Sequence, residues 1–249
     1  MSQFFVLWRR ELFSFLVTPV AVIISVLFLA ITGLVFWFML SLQTQGPTQV
    51  PLVALMLGSP FVWILQLILP PVLTMRCFAE ERRIGTLETL LTSPLSETTV
   101  VLAKYAAALT LYILLWSVTL LYLRTFALLN AEPTLLDPGA IAGGYGFIVL
   151  VGMLYIAIGV FASSITTHQM VAAITGFTLL ALLFFAGFAD LMVQDIRIQH
   201  IATFVSSHEH LHDFARGMID TRPIVFHLSM TLFVLFATIK HLESRHWKV

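Results

Sequence analysis

The sequence predicts an all-α integral membrane protein with six transmembrane helices, and three observations lead to that fold class. Only 10% of the 249 residues are charged, against about 25% in an ordinary soluble domain, and 59% are hydrophobic. No charged residue occurs between Glu11 and Arg76 or between Asp137 and Asp190. Six continuous apolar runs are long enough to cross a hydrocarbon core about 30 Å thick as helices.

These runs organise residues 1–249 as a single membrane domain. They cover residues 19–42, 52–74, 105–123, 141–165, 170–189 and 223–239. The runs lack the residue-by-residue alternation of barrel strands, which favours helices. The longest connections are residues 75–104 and 190–222, so we expect function to lie in these two segments.

The basic residues predict the orientation of the chain. An even number of spans places both termini on one side, where nine of the thirteen Lys and Arg residues fall, against four on the other side. Short basic connections stay in the cytoplasm, so we expect a multi-pass protein of the inner (plasma) membrane with both termini cytoplasmic. Basic and acidic residues balance at thirteen each, which gives no indication of a nucleic-acid partner.

Residues 1–17 predict a helix that lies along the cytoplasmic membrane surface. Trp8, Arg9, Arg10 and Glu11 interrupt an otherwise apolar stretch, a composition typical of interfacial helices and unlike a secretory signal. A plain extension of the first span is the alternative. Pro19 would then begin the helix that enters the bilayer.

Few polar groups interrupt the predicted spans, and some small residues there could allow close helix packing. We interpret Gln66 and His227 as hydrogen-bonding groups between helices rather than as ion-coupling sites. Three prolines of the second span are expected bending points: Pro60, Pro70 and Pro71. Four small residues could serve either internal packing or contact with a second subunit: Gly152, Gly159, Ala172 and Gly176. No GxxxxGK[ST] phosphate-binding loop occurs, so a partner would have to bind any ATP that drives the protein.

The segment over residues 75–104 predicts a short helix between two long ones. Charged residues 80–83 would end the second span, and Gly85 would let the chain leave that helix. Thr86 is a candidate cap for the short helix, which Pro94 would end before Ser96 caps the third span. Its exposed leucines are Leu87, Leu90 and Leu91. An interfacial loop that dips these leucines into lipid is the alternative.

This segment also carries a family resemblance. The run Glu-Arg-Arg-x-Gly-Thr-Leu-Glu-x-Leu-Leu-Thr-Ser-Pro over residues 81–94, followed by Val-Val-Leu-Ala-Lys over residues 100–104, resembles the signature of ABC-2 type exporter permeases. It is most similar to the branch of gliding-motility permeases and the permease of nitrous-oxide-reductase maturation. The Trp-Arg-Arg-Glu-Leu run at residues 8–12 and the tail over residues 242–248 resemble the same family. One departure is Ala103, where many relatives have glycine, and we expect it to affect packing at the membrane edge.

The resemblance implies that residues 75–104 contain a coupling helix, which docks on a separate ATP-binding subunit. The implied coupling residues are Arg82, Arg83, Gly85, Thr86, Leu87, Glu88, Leu90, Leu91 and Pro94. It further implies two copies of an ABC ATP-binding subunit that binds ATP and Mg²⁺, and a second permease subunit, either a copy of this chain or a similar paralogue. Membrane lipids are the remaining expected partners, and the chain itself has no implied catalytic site.

The outer segment, residues 190–222, is implied by the resemblance to be an interfacial or re-entrant helical segment that gates the exit path. Its implied gate residues are His210, Phe214, Arg216, Gly217 and Asp220. The same stretch spells HExxH at His208, Glu209 and His212, a pattern that binds zinc on a helix. A metallopeptidase, or metal binding by His200, His208, His210 and His212, is therefore an alternative, although spacing fixes no third ligand for a catalytic zinc.

The function that we expect is that of the permease subunit of an ATP-driven exporter. The metallopeptidase is the alternative from another class, and a membrane anchor that recruits an ATPase for mechanical or assembly work is a third alternative, closer to the exporter. The exporter and the anchor require the same coupling segment, so the residues are compatible with either.

Overall fold

The computed structural model describes residues 3–43, 52–86, 96–129, 137–188, 195, 199 and 203–244. The regular elements in these ranges are helices. In chain order they are α1 (Gln3–Val17), α2 (Pro19–Gln43), α3 (Leu52–Leu57), α4 (Pro60–Thr74), α5 (Ala79–Ile84), α6 (Glu97–Leu129), α7 (Pro138–Ile165), α8 (Gln169–Ala186), α9 (Ser207–Phe214) and α10 (Thr221–Glu243).

Six helical segments in the described ranges are long and apolar enough to cross a membrane, which confirms the predicted fold class. They are Pro19–Leu42, Pro60–Ile84, Glu97–Leu128, Pro138–Ile165, Gln169–Ala186 and Thr221–Glu243. Several helices extend beyond the apolar runs because polar residues at the membrane edge remain helical. The 33 residues of α6 correspond to about 50 Å at 1.5 Å per residue, well beyond a 30 Å hydrocarbon core.

The second predicted span is not one uninterrupted helix over residues 52–74. It is divided at Gly58 and Ser59 into α3 and α4, with Pro60 in the first position of α4. A residue that precedes proline favours an extended backbone, and Ser59 has φ −61° and ψ 135°. Pro60 therefore interrupts the segment, whereas Pro70 and Pro71 lie inside α4. The helix is interrupted again over residues 75–78, before α5.

Two helix ends follow their local sequence as predicted. Gly85 ends α5 with a left-handed φ of +78°, and its N–H points to the carbonyl oxygens of Arg82 and Glu81. Only glycine adopts this backbone without strain. At the start of α6 the Ser96 hydroxyl accepts a hydrogen bond from the Thr99 N–H at 3.3 Å, which confirms Ser96 as the helix cap.

The core lies between α4, α6 and α7, where α7 presents its small residues to its neighbours. The Tyr112 hydroxyl of α6 donates to Gln66 Oε1 of α4 at 2.7 Å, which confirms that Gln66 forms a hydrogen bond between helices. A Cβ added at Gly152 would lie 2.2 Å from Tyr112 Cε1, and one at Gly159 would lie 2.1 Å from Thr74 Oγ1.

Gly176 and Ala172, the other two of the four small residues named from the sequence, also pack inside the chain. A Cβ at Gly176 would lie 3.3 Å from Pro71 Cβ, and Ala172 is buried. All four residues are therefore explained by internal packing, which was one of the two interpretations that the sequence allowed.

Candidate functional site

A buried cation connects three helices at one end of the bundle. Lys104 of α6 is 1% exposed, and its Nζ lies 2.6 Å from Glu81 Oε1 and 3.2 Å from Glu11 Oε1. The same Nζ lies 5.4 Å from the centre of the Phe78 ring. We call Glu11, Phe78, Glu81 and Lys104 the Lys104 cluster, and the end of the bundle that contains it the Lys104 end.

The three charged members of the Lys104 cluster lie on three different helices. Glu11 lies on α1, Glu81 on α5, and Lys104 two turns into α6. A buried charge without a partner is costly, so two carboxylates beside one ammonium group hold these three helices together. The cluster therefore fixes α1 and α5 against the third span.

Three members of the Lys104 cluster, Phe78, Glu81 and Lys104, belong to the predicted coupling segment, residues 75–104. Arg82 is partly exposed, whereas Arg83, Gly85 and Thr86 are exposed at the end of α5. Thr86 is helical, and its hydroxyl donates to the Glu81 carbonyl oxygen. The next residue that the structure describes is Ser96. Five coupling residues from the sequence prediction lie outside the described residues: Leu87, Glu88, Leu90, Leu91 and Pro94.

The helix predicted over residues 1–17 is present as α1, and one of its faces contacts α6. Trp8 donates from Nε1 to Thr110 Oγ1 at 3.2 Å, and Glu11 reaches Lys104 on the same side. Arg9 and Arg10 point away from the bundle and are exposed. The amphipathic pattern in the sequence thus corresponds to a helix with one packed face and one exposed basic face.

The opposite end of the bundle carries α9, which lies on the fourth span. Phe214 packs against Phe147 of α7 with ring centres 4.7 Å apart, and a Cβ added at Gly143 would lie 2.2 Å from the Phe214 carbonyl oxygen. His227 connects α9 to α10: its Nδ1 lies 2.8 Å from the Pro223 carbonyl oxygen, so Nε2 accepts from Ser207 Oγ at 3.2 Å. His227 is therefore a hydrogen-bonding group between helices, as predicted.

The predicted gate residues have identifiable local roles at this end. His210 Nε2 lies 3.2 Å from the Phe204 carbonyl oxygen. Gly217 has φ +80° and ends the turn after α9, where Arg216 is exposed. Asp220 caps α10 by accepting from the Arg222 N–H at 3.0 Å.

The HExxH residues lie on α9, but His208 is directed into aromatic surroundings. Its ring centre lies 5.6 Å from that of Trp63 and 5.8 Å from that of Phe188. No group of three His, Cys, Asp or Glu side chains within the described ranges could hold a metal ion. His200 lies outside those ranges. The contacts of His208 therefore give it a packing role between α9 and α4.

The packing of His208 predicts a pH dependence. Burial, followed by the nearby His212, lowers the pKa of His208 below its ordinary value, and a hydrogen bond to the Gly58 backbone acts in the opposite direction. In the unfolded chain the His208 imidazole takes up a proton near pH 6.5, whereas in the folded structure it does so only at lower pH. The folded structure therefore loses stability as the pH falls below about 6.5. Thermal unfolding of the detergent-solubilised chain at pH 7.5 and 5.5 measures this loss.

A glutamine at His208 should make the unfolding midpoint less sensitive to pH over that interval. His168→Gln is the matched control, because His168 lies at the start of α8, away from α9. Equal pH dependence in the wild type and in His208→Gln would show that His208 does not respond to pH in this way.

The partnership of Glu11, Glu81 and Lys104 was not predicted from the sequence. The sequence presents Lys104 only as the end of the run over residues 100–104, Glu81 as one of the charged residues 80–83 and Glu11 as part of a surface helix. A lone lysine at the start of an otherwise uncharged span is a signal that a carboxylate should face it. The sequence does not indicate which carboxylates these are, because Glu11 lies 93 residues away.

The comparison with protein families is consistent with this architecture. The family described as ABC-2 family transporter protein matches residues 40–207, which is more than half of the chain. The chain belongs to the ABC-2 transporter family. No curated protein matches it.

Membership in the ABC-2 family defines the general class of this protein. An ABC-2 family chain with six apolar helices is a multi-pass membrane protein and a permease subunit of an ABC transporter. Such a subunit works with an ATP-binding subunit and has no catalytic site of its own. The matched residues include the whole of residues 75–104, with α5 and Lys104, but only residues 190–207 of the outer segment, so the predicted gate residues lie beyond the match.

Proposed function

We propose that this protein is the permease subunit of an ATP-driven exporter of the branch that includes gliding-motility permeases and the permease of nitrous-oxide-reductase maturation. Residues 75–104 receive the motion of an ATP-binding subunit and pass it to the second and third spans. Two copies of that subunit bind ATP and Mg²⁺, and a second permease subunit, a copy of this chain or a similar paralogue, completes the substrate path.

The Lys104 cluster is the observation that carries this proposal. The predicted coupling segment, residues 75–104, includes α5 and the start of α6, and the contact between Glu81 and Lys104 joins those two helices directly. Force applied between Thr86 and Ser96 therefore acts on the second and third spans together. Glu11 adds α1 to the same rigid unit, so the surface helix moves with the spans.

Orientation and gating complete the proposal. The Lys104 end faces the cytoplasm of a cell with an inner membrane, where basic residues are retained, and α1 lies at the bilayer surface with Arg9 and Arg10 towards lipid headgroups. The opposite end, with α9 resting on α7, closes the exit path until the spans move. The contact of Phe214 with Phe147 supports this role, because it connects the outer segment to the fourth span.

Charge reversal in the coupling segment tests the proposal. Arg83→Glu and Glu88→Lys are each expected to reduce the stimulation of the partner's ATPase by the permease at least tenfold, because a docked charge would face a like charge. Purified complexes in nanodiscs provide the ATPase rate, and membrane yield reports insertion. Arg83 is exposed at the end of α5, so its reversal leaves the fold intact.

Arg124→Glu is the matched control, since Arg124 is exposed near the end of α6, away from the Lys104 end. It should leave ATPase stimulation unchanged. Wild-type stimulation in both coupling-segment reversals would contradict the assignment of residues 75–104 as the coupling segment.

A further inference from the structure

The helical interruption between α4 and α5 is closed by a hydroxyl from another span. α4 ends at Thr74 and α5 begins at Ala79. Ser163 Oγ of α7 accepts hydrogen bonds from the N–H groups of Phe78 at 3.0 Å and Ala79 at 3.2 Å, and donates to the Met75 carbonyl oxygen at 3.2 Å. A single side chain thus serves three backbone groups that an uninterrupted helix would pair internally.

The surroundings of Ser163 make these bonds necessary. Ser163, Phe78 and Ala79 are fully buried. Cys77, the residue before Phe78, is 2% exposed. Buried N–H and C=O groups need partners, because no solvent can replace a lost hydrogen bond in such a site. The turn over residues 75–78 is therefore held in its observed backbone conformation only while α7 keeps the Ser163 hydroxyl in place.

The position of the turn gives these bonds a mechanical role. α5 carries Glu81 and leads into the coupling segment, whereas α4 is packed in the core, with Thr74 against Gly159 of α7. A change in the direction of α5 relative to α4 must rotate the backbone of residues 75–78. That rotation breaks the bonds to Ser163.

We propose that residues 75–78 are the hinge between the coupling segment and the second span, and that Ser163 is the positioning residue that holds this hinge closed. The inference rests on the proposed function for the direction in which force passes, but the closed hinge itself is a property of the isolated chain. Docking of an energised ATP-binding subunit pulls on α5, frees the Phe78 and Ala79 N–H groups from Ser163 and turns the second span.

Cys77 provides a direct probe, because it is the only cysteine in the 249 residues and lies within the hinge. The rate at which N-ethylmaleimide alkylates Cys77 in the full-length chain, followed by intact-mass spectrometry at fixed pH, reports hinge opening. Ser163→Ala is expected to raise this rate at least tenfold. Ser164→Ala is the matched control, since the Ser164 hydroxyl donates only within its own helix, to the Phe161 carbonyl oxygen, and it should label like the wild type.

A second measurement separates positioning from general destabilisation. In the complex with the ATP-binding subunit, labelling of wild-type Cys77 should differ at least threefold between the nucleotide-free and vanadate-trapped states. Ser163→Ala should lose that difference, in addition to any fall in the unfolding midpoint that follows from leaving three buried backbone groups without the hydroxyl. A merely structural serine would lower the midpoint and leave the nucleotide dependence in place.

The outcomes distinguish the hinge from the proposed function. Equal labelling of the wild type and Ser163→Ala in the isolated chain overturns the role of Ser163, whatever the ATPase does. Nucleotide-independent labelling in a complex whose ATPase responds to the Arg83 and Glu88 reversals overturns the hinge and leaves the coupling segment standing. Insensitivity of the ATPase to those reversals counts against the proposed function alone.

Discussion

Lys104→Met is expected to lower the free energy of unfolding by about 3–5 kcal/mol, the range measured when one partner of a buried ion pair is removed. The substitution removes the cation that the Glu11 and Glu81 carboxylates share, in a site where Lys104 itself is 1% exposed, and leaves Glu11 only the largely exposed Arg10 at 3.8 Å. Because Glu11 belongs to α1 and Glu81 to α5, the attachment of both helices to α6 should weaken. Thermal unfolding in detergent, followed by tryptophan fluorescence, measures the change.

Two further variants define the origin of this effect. The triple variant with Glu11→Gln, Glu81→Gln and Lys104→Met removes the repulsion between the two carboxylates. It should recover part of the stability that Lys104→Met loses. Lys240→Met is the matched control, because Lys240 pairs with Glu243 at an exposed position of α10, where such pairs contribute about 0–1 kcal/mol. Equal losses in Lys104→Met and Lys240→Met would contradict a structural role for the Lys104 cluster.

Gly152→Ala is the second substitution with a large expected effect. The added Cβ would lie 2.2 Å from Tyr112 Cε1, so the ring must move. Tyr112 is fully buried, and its hydroxyl donates to Gln66 Oε1 at 2.7 Å and lies 3.1 Å from the Ile148 carbonyl oxygen, so movement of the ring disrupts the contacts of α6 with both α4 and α7. Overpacking of this kind typically costs about 1–3 kcal/mol, and the loss of the Tyr112 hydrogen bonds adds to it. Unfolding midpoints in detergent measure the effect.

Gly146 of the same helix provides a matched control. A Cβ at Gly146 meets nothing within 4 Å among the described residues, and alanine is the better helix former by about 1 kcal/mol. Gly146→Ala should therefore be neutral or slightly stabilising. A similar loss in both variants would show that the contact between Gly152 and Tyr112 does not limit how closely α6 and α7 approach.

Local signals in the sequence predicted much of this fold. Apolar runs of sufficient length predicted six spans, and the glycine at position 85 and the serine at position 96 marked helix ends because their chemistry is local. The interpretation of Gln66 and His227 as hydrogen-bonding groups also followed from a local rule, since an isolated polar group in an apolar span needs a partner. Both groups have such partners in the structure.

Contacts between distant segments could not be predicted in the same way. The sequence shows that Lys104 needs a carboxylate but does not show that α1 supplies one, because that contact depends on how the helices cross. Ser163 is one of several hydroxyl residues in the spans, and only the interruption at residues 75–78 makes its three backbone partners available. The division of the second span at Gly58 and Ser59 did have a local signal, Pro60, which was interpreted as a bend rather than as a helix start.

Purification of the tagged chain from its native host in mild detergent tests the central claim most directly. Mass spectrometry of the co-purifying proteins, an ATPase assay and a zinc determination on the same eluate give the result. The proposed function predicts a stoichiometric subunit with a phosphate-binding loop, together with ATPase activity that the Arg83→Glu variant reduces at least tenfold. A chain that purifies alone, without ATPase activity and with bound zinc, would contradict it and return attention to the histidines of α9.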